Sequence, residues 1–288
     1  MKLKDILLSG VTLFSPTMST KILYRKRLGK KLNLKEPKTF NEKVQWLKLH
    51  EINKKEIYVK CADKYLVREY VKECGCEEIL TKLYGVYDDA NDINWDELPD
   101  KFVLKWNFGC GLNIICKDKS KLDEQEVKRK LNKWKHNKFY LKTSEMQYKK
   151  MSKKIICEEY LCDSKSNTLD DYKIYCFYGE VGPVMVCIGR DKGKPKFYYF
   201  DSKWNWLKEY SQDGLNTEKL EVEKPKCFDK MIEYAKKLSK PFPLVRVDLY
   251  IVDNKVYFGE LTFTPAAGLD VEKTEIADVE CSKRIKIK

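Results

Sequence analysis

The chain has 288 residues, of which 43% are hydrophobic and 35% are charged, and its formal net charge is +13. This length allows one large or two modest domains with a real core, and the composition is that of a globular protein on the charged side. The charge suits an anionic partner such as a phosphorylated ligand, an acidic glycan or an acidic lipid surface, but nucleic acid is not expected because no zinc-finger, helix-turn-helix or RNP-type signature is present.

Cysteine and histidine usage narrows the chemistry further. The eleven cysteines form no CxxC pair, and an odd number without a signal peptide predicts reduced thiols in a cytosol. The two histidines, His50 and His136, have no obvious triad partner. Hydrolysis by a Ser-His or Cys-His pair is therefore not expected.

The chain begins with a short apolar run, Ile6–Phe14, followed by a basic stretch, Lys21–Lys31. The apolar run is too short to cross a membrane as a helix. An apolar segment next to a basic one could rest on an anionic inner leaflet. The plainer interpretation is a helix packed on the domain, and the sequence leaves both open.

Two helix signals come next. Thr39-Phe-Asn-Glu42 is a capping box and predicts a helix through Leu47. Asp63 opens a second helical pattern, which Gly75 ends. The later predicted elements are strands at Ile79–Tyr87, Lys101–Trp106, Ile114–Cys116 and Ile155–Leu161, a helix at Leu122–Lys135, hairpins at Lys173–Tyr178/Val184–Ile188 and Phe197–Phe200/Trp204–Leu207, and a helix at Phe228–Leu238.

A loop with two glycines, residues 107–113, separates the strand that carries Lys105 from the strand that returns. It is not a Walker loop, because it lacks the GK[ST] ending and the following helix. Glycine backbone amides can nevertheless cradle a phosphate, with the lysine as a point charge beside them.

The segment Leu244–Gly268 predicts two strands joined at Asp253-Asn254, since both turn residues tolerate left-handed backbone. Asp248 lies in the first apolar strand and Glu260 in the second. Acids that face each other repel, so such a pair indicates a cation. Oxygen ligands suit Mg²⁺, which takes one or two carboxylates together with substrate phosphates. The alternative is an edge hairpin with solvated acids.

The register of this hairpin decides whether the acids meet. A three-residue loop that includes Lys255 would pair Val252 with Val256 and set Asp248 opposite Glu260. A two-residue loop would put the acids on opposite faces. We expect the three-residue loop, although the sequence leaves the register open.

With Lys105, the glycine loop and the Asp248/Glu260 hairpin in this order, the chain resembles the TupA-like ATP-grasp family, which is linked to surface-polysaccharide and teichuronopeptide synthesis. The similar segments are KTFNEKVQWLKL, ADKYLVREYV, LYGVYDD, KFVLKWNFGCG, QYKK…IICEEYL, DYKIYCFYGE and RVDLYIVDNKVYFGELTFTPAAG. The resemblance implies an α+β, ATP-grasp fold in which two α+β lobes clamp ATP. The implied division is a helical N-terminal region (1–60), a lobe with the glycine loop (61–165) and a lobe with the metal-binding hairpin (166–288).

The resemblance also implies roles for individual residues. Lys64 and Lys105 would contact the phosphates; Gly109, Cys110 and Gly111 would close over them; Glu158, Glu159 and Leu161 would form the adenine-side hinge; Lys173 and Arg246 would act on the transferred phosphoryl group; Asp248, Glu260 and Thr262 would hold Mg²⁺.

Three positions depart from the pattern of the family. Relatives commonly carry His and Ser in the glycine loop, where this chain has Phe108 and Cys110. They also carry an Asn two positions after the metal-binding Glu, where this chain has Thr262. A hydroxyl or a water can replace that amide oxygen.

The implied function is an ATP-dependent ligase that joins a carboxylate to an amine through an acyl phosphate, with ATP and Mg²⁺ as cofactors, in surface-polysaccharide biosynthesis. The acceptor would be a small molecule or a glycan, and the net charge suits an acidic one. The alternatives are a sugar kinase, a glycan-modifying transferase or a non-catalytic nucleotide-binding protein. A cytoplasmic location is expected, with or without peripheral contact to an anionic membrane, and the oligomeric state stays open.

Overall fold

The computed structural model describes residues 3–162, 169, 171–189, 193 and 195–287. The helices are α1 (Leu3–Phe14), α2 (Pro16–Leu28), α3 (Phe40–Leu47), α4 (Glu56–Ala62), α5 (Val67–Glu73), α6 (Glu124–Lys135), α7 (Tyr140–Thr143), α8 (Gln212–Leu215), α9 (Phe228–Ser239) and α10 (Glu275–Arg284). The strands are β1 (Leu83–Tyr87), β2 (Phe102–Trp106), β3 (Asn113–Cys116), β4 (Ile155–Glu159), β5 (Asp171–Phe177), β6 (Glu180–Ile188), β7 (Lys196–Phe200), β8 (Val245–Val252) and β9 (Lys255–Thr262).

The smaller sheet has the order β1-β4-β2-β3, with antiparallel neighbours throughout. Side chains alternate faces along a strand. On β2 this rule buries Phe102, Leu104 and Trp106 in the core of this sheet. Val103 and Lys105 therefore point to the opposite face, where they line a cleft.

The larger sheet has the order β7-β6-β5-β8-β9 and is also antiparallel. Its central strand β5 is buried along its whole length. Helix α9 covers it with an apolar stripe at helical spacing, made of Phe228, Met231, Ile232, Ala235 and Leu238. Residues of α3, α4 and α5 belong to the same hydrophobic core, so these helices support the larger sheet although they precede the smaller one in sequence.

The hairpin β8–β9 corrects the predicted loop. Its turn has two residues, Asp253 (φ +47°) and Asn254 (φ +63°), between the paired Val252 and Lys255. Positive φ at both turn positions is the twist that a two-residue antiparallel hairpin requires. The prediction of a three-residue loop was therefore wrong.

Asp248 still lies opposite Glu260, because a β-bulge restores the register. Leu249 pairs with Phe258, but Asp248 pairs with Glu260, so Gly259 is an extra residue on β9. Such a bulge shifts the following side chains by one face. A Cβ atom at Gly259 would lie 2.9 Å from the Asp248 carbonyl oxygen, so a side chain does not fit there.

The other predicted elements differ mainly at their ends. The capping box at Thr39 is confirmed. Strand β1 begins at Leu83, because residues 77–79 form a 3₁₀ turn that buries Ile79 in the core of the larger sheet. Strand β4 ends at Glu159, where its partner β2 begins. Trp204–Leu207 is not a strand and forms one bridge, from Trp206 to Phe200. Among the described residues, no helix is both long and apolar enough to span a bilayer.

Gly259→Ala tests the bulge. The added Cβ would press on the Asp248 carbonyl oxygen and the Tyr250 ring, and overpacking of this kind costs about 1–3 kcal/mol. We expect a loss of that size in the free energy of unfolding measured in urea. Gly10→Ala is the control, because its Cβ meets no atom within 4 Å and alanine is the better helix former. Equal effects of the two substitutions would contradict the account of the bulge.

Candidate active site

A cavity of about 530 Å³ lies between the two sheets. The smaller sheet contributes Lys105, Glu158 and Glu159, and the larger sheet contributes Tyr250 and Glu260. Eight of the thirteen predicted site residues line it: Lys64, Lys105, Gly109, Gly111, Glu158, Glu159, Leu161 and Glu260. The cavity is concave, largely apolar and carries a few convergent charges, as small-molecule sites do.

Two smaller cavities continue from this one. A cavity of about 250 Å³ shares Lys64, Gly109 and Glu260 with the first and adds three predicted residues, Cys110, Arg246 and Thr262. A third cavity, of about 260 Å³, shares Arg246 and Ala266 with the second and contains Lys173. We call them the nucleotide cavity, the middle cavity and the outer cavity, in that order.

Lys64 lies under the glycine loop because one side-chain and one backbone hydrogen bond join the turn that carries it to Asn107. Asp63 accepts a hydrogen bond of 2.6 Å from the Asn107 amide, and the Lys64 backbone N–H donates to the Asn107 carbonyl at 3.0 Å. The Lys64 ammonium donates to the Gly109 carbonyl oxygen at 2.6 Å. Burial lowers the pKa of Lys64, and the nearby Glu260 opposes that shift.

The glycine loop needs its glycines. Gly109 and Gly111 have φ of +68° and +71°, a region that L-residues with a Cβ avoid. A Cβ at Gly109 would also lie 3.2 Å from the Phe139 ring. Phe108 is buried in the core of the smaller sheet, whereas Cys110 is exposed and lines the middle cavity. The loop therefore presents its backbone and the Cys110 thiol to the cleft, and the Phe108 side chain packs elsewhere.

Glu158 holds two cations. Its carboxylate accepts from Arg68 Nη1 at 2.9 Å and forms a short ion pair with the Lys105 ammonium. Arg68 also donates to the Thr81 carbonyl at 2.6 Å. The Glu158 side chain thus holds the Lys105 ammonium in position, next to the predicted hinge. Sequence reasoning missed Arg68, whose spacing of four residues from Lys64 indicates a shared helical face but not a partner 90 positions away.

Asp248 is the centre of a buried charge cluster. Arg246 binds it in a two-pronged arrangement, Nε to Oδ1 and Nη2 to Oδ2, both at 2.7 Å. Lys173 donates to Oδ2 at 2.6 Å and also pairs with Asp171 at 2.6 Å. Burial opposes ionisation of Asp248, but the two cations outweigh burial and lower the pKa of this carboxyl group. The Asp248 carboxylate therefore stays charged at neutral pH.

Glu260 is more open than the acid opposite to it. Its side chain is 44% exposed, against 2% for Asp248. It accepts a hydrogen bond of 2.9 Å from the Thr262 hydroxyl, which in turn accepts from Arg246 Nη2 at 3.1 Å. Thr262 thus connects the guanidinium group to the carboxylate.

The donor set decides which cation could fit here. Within the described part of the chain, no group of three His, Cys, Asp or Glu side chains could hold a metal. Asp248 already accepts three hydrogen bonds, so Glu260 has the more available oxygen atoms. Two carboxylates and a hydroxyl suit Mg²⁺ when substrate phosphates complete its coordination. The residues fit a metal ion that arrives with a nucleotide.

A second buried network, which sequence reasoning missed, forms one wall of the middle cavity. Glu145 accepts short hydrogen bonds from the hydroxyls of Thr143 and Thr264. Lys48, which is fully buried, donates to the Thr143 carbonyl at 2.7 Å. Burial lowers the pKa of Lys48 to about 8, and Glu145 opposes that shift. Lys48 lies 95 positions from Thr143, and Glu145 lies 119 positions from Thr264, so no local sequence pattern predicts these two contacts.

A strained turn borders the middle and outer cavities. Ala266, Ala267 and Gly268 have φ of +48°, +55° and +69°, and left-handed alanines cost energy that surrounding contacts must offset. The Gln45 amide supplies such contacts, with hydrogen bonds to the carbonyls of Ala267 (3.0 Å) and Gly268 (2.7 Å). Strain held in this way next to a cleft is typical of ligand-binding backbone.

Glu158→Gln tests whether Glu158 positions Lys105. The substitution leaves Arg68 and Lys105 without their anion, and loss of a mostly buried charged partner costs about 3 kcal/mol. We expect lower stability in urea and weaker ATP binding by calorimetry, because Lys105 loses its orientation. Glu126→Gln is the control, since this carboxylate of helix α6 lines none of the three cavities and its ion pair with Lys130 lies at the surface. If both variants bind ATP like the wild type, Glu158 does not position Lys105.

The lowered pKa of Lys48 predicts that the free energy of unfolding depends on pH. Its pKa of about 8 in the folded protein lies below the value near 10.4 of an unfolded chain. Between these values the unfolded chain binds more protons, so the contribution of Lys48 to the free energy of unfolding increases as pH rises from about 8. Relative to Lys48→Met, the wild type should gain roughly 1–3 kcal/mol in urea unfolding between about pH 7 and pH 10. A constant difference between the two proteins would contradict this assignment.

Comparison with known proteins places the chain in a family. The model of the family described as TupA-like ATPgrasp matches residues 42–286. Comparison with curated proteins gives no match.

Similar solved structures include D-alanine–D-alanine ligase from Helicobacter pylori (16% identity, 86% of this chain and 69% of the ligase covered, TM-score 0.46). A second is the ATP complex of D-alanine–D-alanine ligase from Bacillus anthracis (14% identity, 78% and 67% covered, TM-score 0.45). A third is the ADP complex of N5-carboxyaminoimidazole ribonucleotide synthetase (13% identity, 77% and 50% covered, TM-score 0.46), of which this chain spans half the length.

The match over residues 42–286 confirms the α+β, ATP-grasp fold with its two antiparallel sheets. The chain belongs to the TupA-like ATP-grasp family.

Proposed function

We propose that this protein is an ATP-dependent ligase that joins a carboxylate to an amine through an acyl phosphate. The observation that carries the proposal is the nucleotide cavity between the two sheets. Lys64, Lys105 and the glycine loop line it together with Glu260, and it continues into two further cavities. Membership of an ATP-grasp family supports ATP as the nucleotide.

The register of the smaller sheet supports a direction for the nucleotide. Phe102 pairs with Glu159 and Trp106 pairs with Ile155, so the predicted hinge and the glycine loop lie beyond opposite ends of β2. Four steps along a strand span about 13 Å, enough for a nucleoside and its phosphates to lie along it. We place the adenine near Glu159 and Leu161, and the phosphates near Lys105.

The proposed roles of the charged residues follow from this direction. Asp248, Glu260 and Thr262 would hold Mg²⁺, which when bound offsets the charge of the β- and γ-phosphates. Lys64 and Lys105 would hold the same phosphates from the side of the glycine loop. Positioned charges of this kind are the main source of catalysis in phosphoryl transfer.

The reaction would then take place at the middle cavity. A substrate carboxylate oxygen attacks the γ-phosphorus, and the bond from that phosphorus to the ADP oxygen breaks. Arg246 lines both the middle and the outer cavity, so it would neutralise the acyl phosphate that forms, together with Lys173. An amine next attacks the acyl carbon, loses a proton and expels inorganic phosphate. No protein nucleophile is needed.

The outer cavity suits the acceptor. Tyr175, Phe197 and Tyr199 line it together with Lys173 and Arg246. Aromatic walls with a few fixed charges are typical of sites that bind small polar rings. The fixed charges of the outer cavity have both signs, because Asp213, Asp270 and Glu272 also line it. We propose a glycan, or a small precursor of one, as the acceptor in surface-polysaccharide biosynthesis, and the net charge of +13 is the observation that favours an acidic one.

One observation favours a second candidate, a nucleotide-binding protein without catalysis. The three hydrogen bonds to Asp248 come from Arg246 and Lys173, and these would compete with a metal ion for its oxygens. Phe108, Cys110 and Thr262 stand where relatives carry other residues. A sugar kinase or a glycan-modifying transferase would use the same nucleotide cavity.

An assay of ADP release distinguishes these candidates. The purified protein is incubated with MgATP, a panel of uronic acids and uronate oligosaccharides, and a panel of amines. We expect ADP and phosphate only when a carboxylate and an amine are both present, with an amide product by mass spectrometry. A phosphorylated sugar without amine would identify a kinase. MgATP binding without ADP from any acceptor would leave the non-catalytic function.

Substitutions in the hairpin test the metal ligands. We expect Glu260→Gln and Asp248→Asn each to weaken Mg²⁺-dependent ATP binding at least tenfold, which corresponds to about 1.4 kcal/mol, in calorimetric titrations with and without Mg²⁺. Asp253→Asn is the matched control, because it removes a carboxylate from the turn of the same hairpin and keeps a residue that tolerates positive φ. Unchanged binding in both site variants would refute the metal site.

A further inference from the structure

The first helix of the chain turns its apolar face outward. Ile6, Leu7, Leu13 and Phe14 lie on one face of α1 and are all exposed, Phe14 to 91%. Spacings of one, seven and eight residues place side chains on the same side of a helix. The opposite side carries Thr12, which is buried. An amphipathic helix in a water-soluble domain normally packs its apolar face on the core and exposes its polar face to solvent.

The second helix extends this surface and adds charge. Met18 and Ile22 of α2 are also exposed. Six basic residues lie in the stretch 16–31, which contains no Asp or Glu: Lys21, Arg25, Lys26, Arg27, Lys30 and Lys31. We call the α1–α2 unit the N-terminal hairpin. Its free surface is a set of six large apolar side chains beside a cationic segment.

The hairpin is held in this orientation by buried polar contacts. The Thr12 hydroxyl lies within hydrogen-bond distance of the Leu141 carbonyl of α7 (3.1 Å), the Leu8 carbonyl of its own helix (2.9 Å) and the Ser19 hydroxyl (2.7 Å). Ser19, Thr20 and Tyr24 of α2 are buried. Rotating α1 to bury its apolar stripe would break these contacts.

We propose that the N-terminal hairpin docks on the surface of an anionic membrane. Large apolar side chains that are exposed together on two consecutive helices indicate an interaction surface. Apolar residues that enter the acyl boundary, with adjacent Lys and Arg at anionic headgroups, are the two components of peripheral helix binding. Helix α1 has 12 residues, so it lies on the bilayer and does not cross it.

Charge argues against a second copy of this chain as the occupant. A two-fold dimer brings the same surface of both subunits together. The six basic residues of one hairpin would then lie beside the six of the other, without acidic residues in the stretch to neutralise them. An anionic lipid surface offers the opposite charge and a continuous apolar phase.

Docking would bring the cleft close to the bilayer. Helix α7 receives the Thr12 contact at Leu141, and two residues later Thr143 lines the middle cavity. The hairpin precedes the residues matched by the family model, 42–286, so this surface is an addition to the catalytic fold. The proposal holds whatever reaction the cleft performs.

Sedimentation with vesicles tests the proposal on the full chain. Vesicles of phosphatidylglycerol and phosphatidylcholine are compared with vesicles of phosphatidylcholine alone. We expect at least tenfold stronger partition onto the anionic vesicles, and a steep loss at 0.5 M salt because screening weakens the headgroup contacts. Leu7→Gln, Leu13→Gln and Phe14→Gln combined should abolish binding. Lys21→Gln, Arg25→Gln and Lys26→Gln combined remove three of the six basic residues and should weaken partition onto anionic vesicles at least tenfold.

The control is Ile276→Gln with Val279→Gln, two apolar residues of α10 that are exposed to a similar degree; it should bind like the wild type. Circular dichroism and MgATP binding check that every variant is folded. Absence of wild-type binding to anionic vesicles would overturn the proposal, as would unchanged binding of the triple apolar variant. If sedimentation equilibrium shows a dimer that this variant dissociates, and vesicles are not bound, the surface belongs to a second copy.

Discussion

The site depends on the ion pairs that the buried Asp248 carboxylate makes with Arg246 and Lys173. A lone charge in this environment would cost several kcal/mol, and Arg246 and Lys173 offset that cost from two neighbouring strands, β8 and β5. The same contacts aim Arg246 at the junction of the middle and outer cavities. Stability of the larger sheet and the orientation of Arg246 and Lys173 toward these cavities therefore depend on the same contacts. A substitution at Asp248 changes both, so stability must be measured beside activity.

The β8–β9 hairpin shows which structural features an alternating strand pattern predicts and which it does not. Alternation of side chains and the turn residues Asp253-Asn254 predicted two strands and two facing acids, and the acids do face each other. The predicted three-residue loop was wrong, because the extra residue is Gly259 within β9 and the turn has only two residues. Adding one residue at the turn or within the strand gives the same register beyond that point. A pattern of faces cannot distinguish the two, whereas a glycine in a strand interior is the signal that could have done so.

The other features of the site fall into two groups, those formed by adjacent residues and those formed by residues far apart in sequence. Local features were predictable: the capping box at Thr39, the buried face of β2 and the glycines of the loop each follow from a few adjacent residues. Contacts of Glu158 with Arg68 and of Glu145 with Thr264 join distant segments. Neither residue type nor spacing selects such partners. The resemblance to a family supplied the order of the site residues, but not which of them neutralise one another.

That neutralisation indicates where a nucleotide would act. Glu158 and Asp248 each hold two cations at hydrogen-bond distance. Lys64 and Glu260 instead hydrogen-bond to neutral groups, the Gly109 carbonyl and the Thr262 hydroxyl, and the nearest Arg246 nitrogen is 3.8 Å from Glu260. Lys64 would gain an anion from a phosphate, and Glu260 would gain a cation from Mg²⁺. A magnesium nucleotide brings both charges at once, between two residues that line the same cavity.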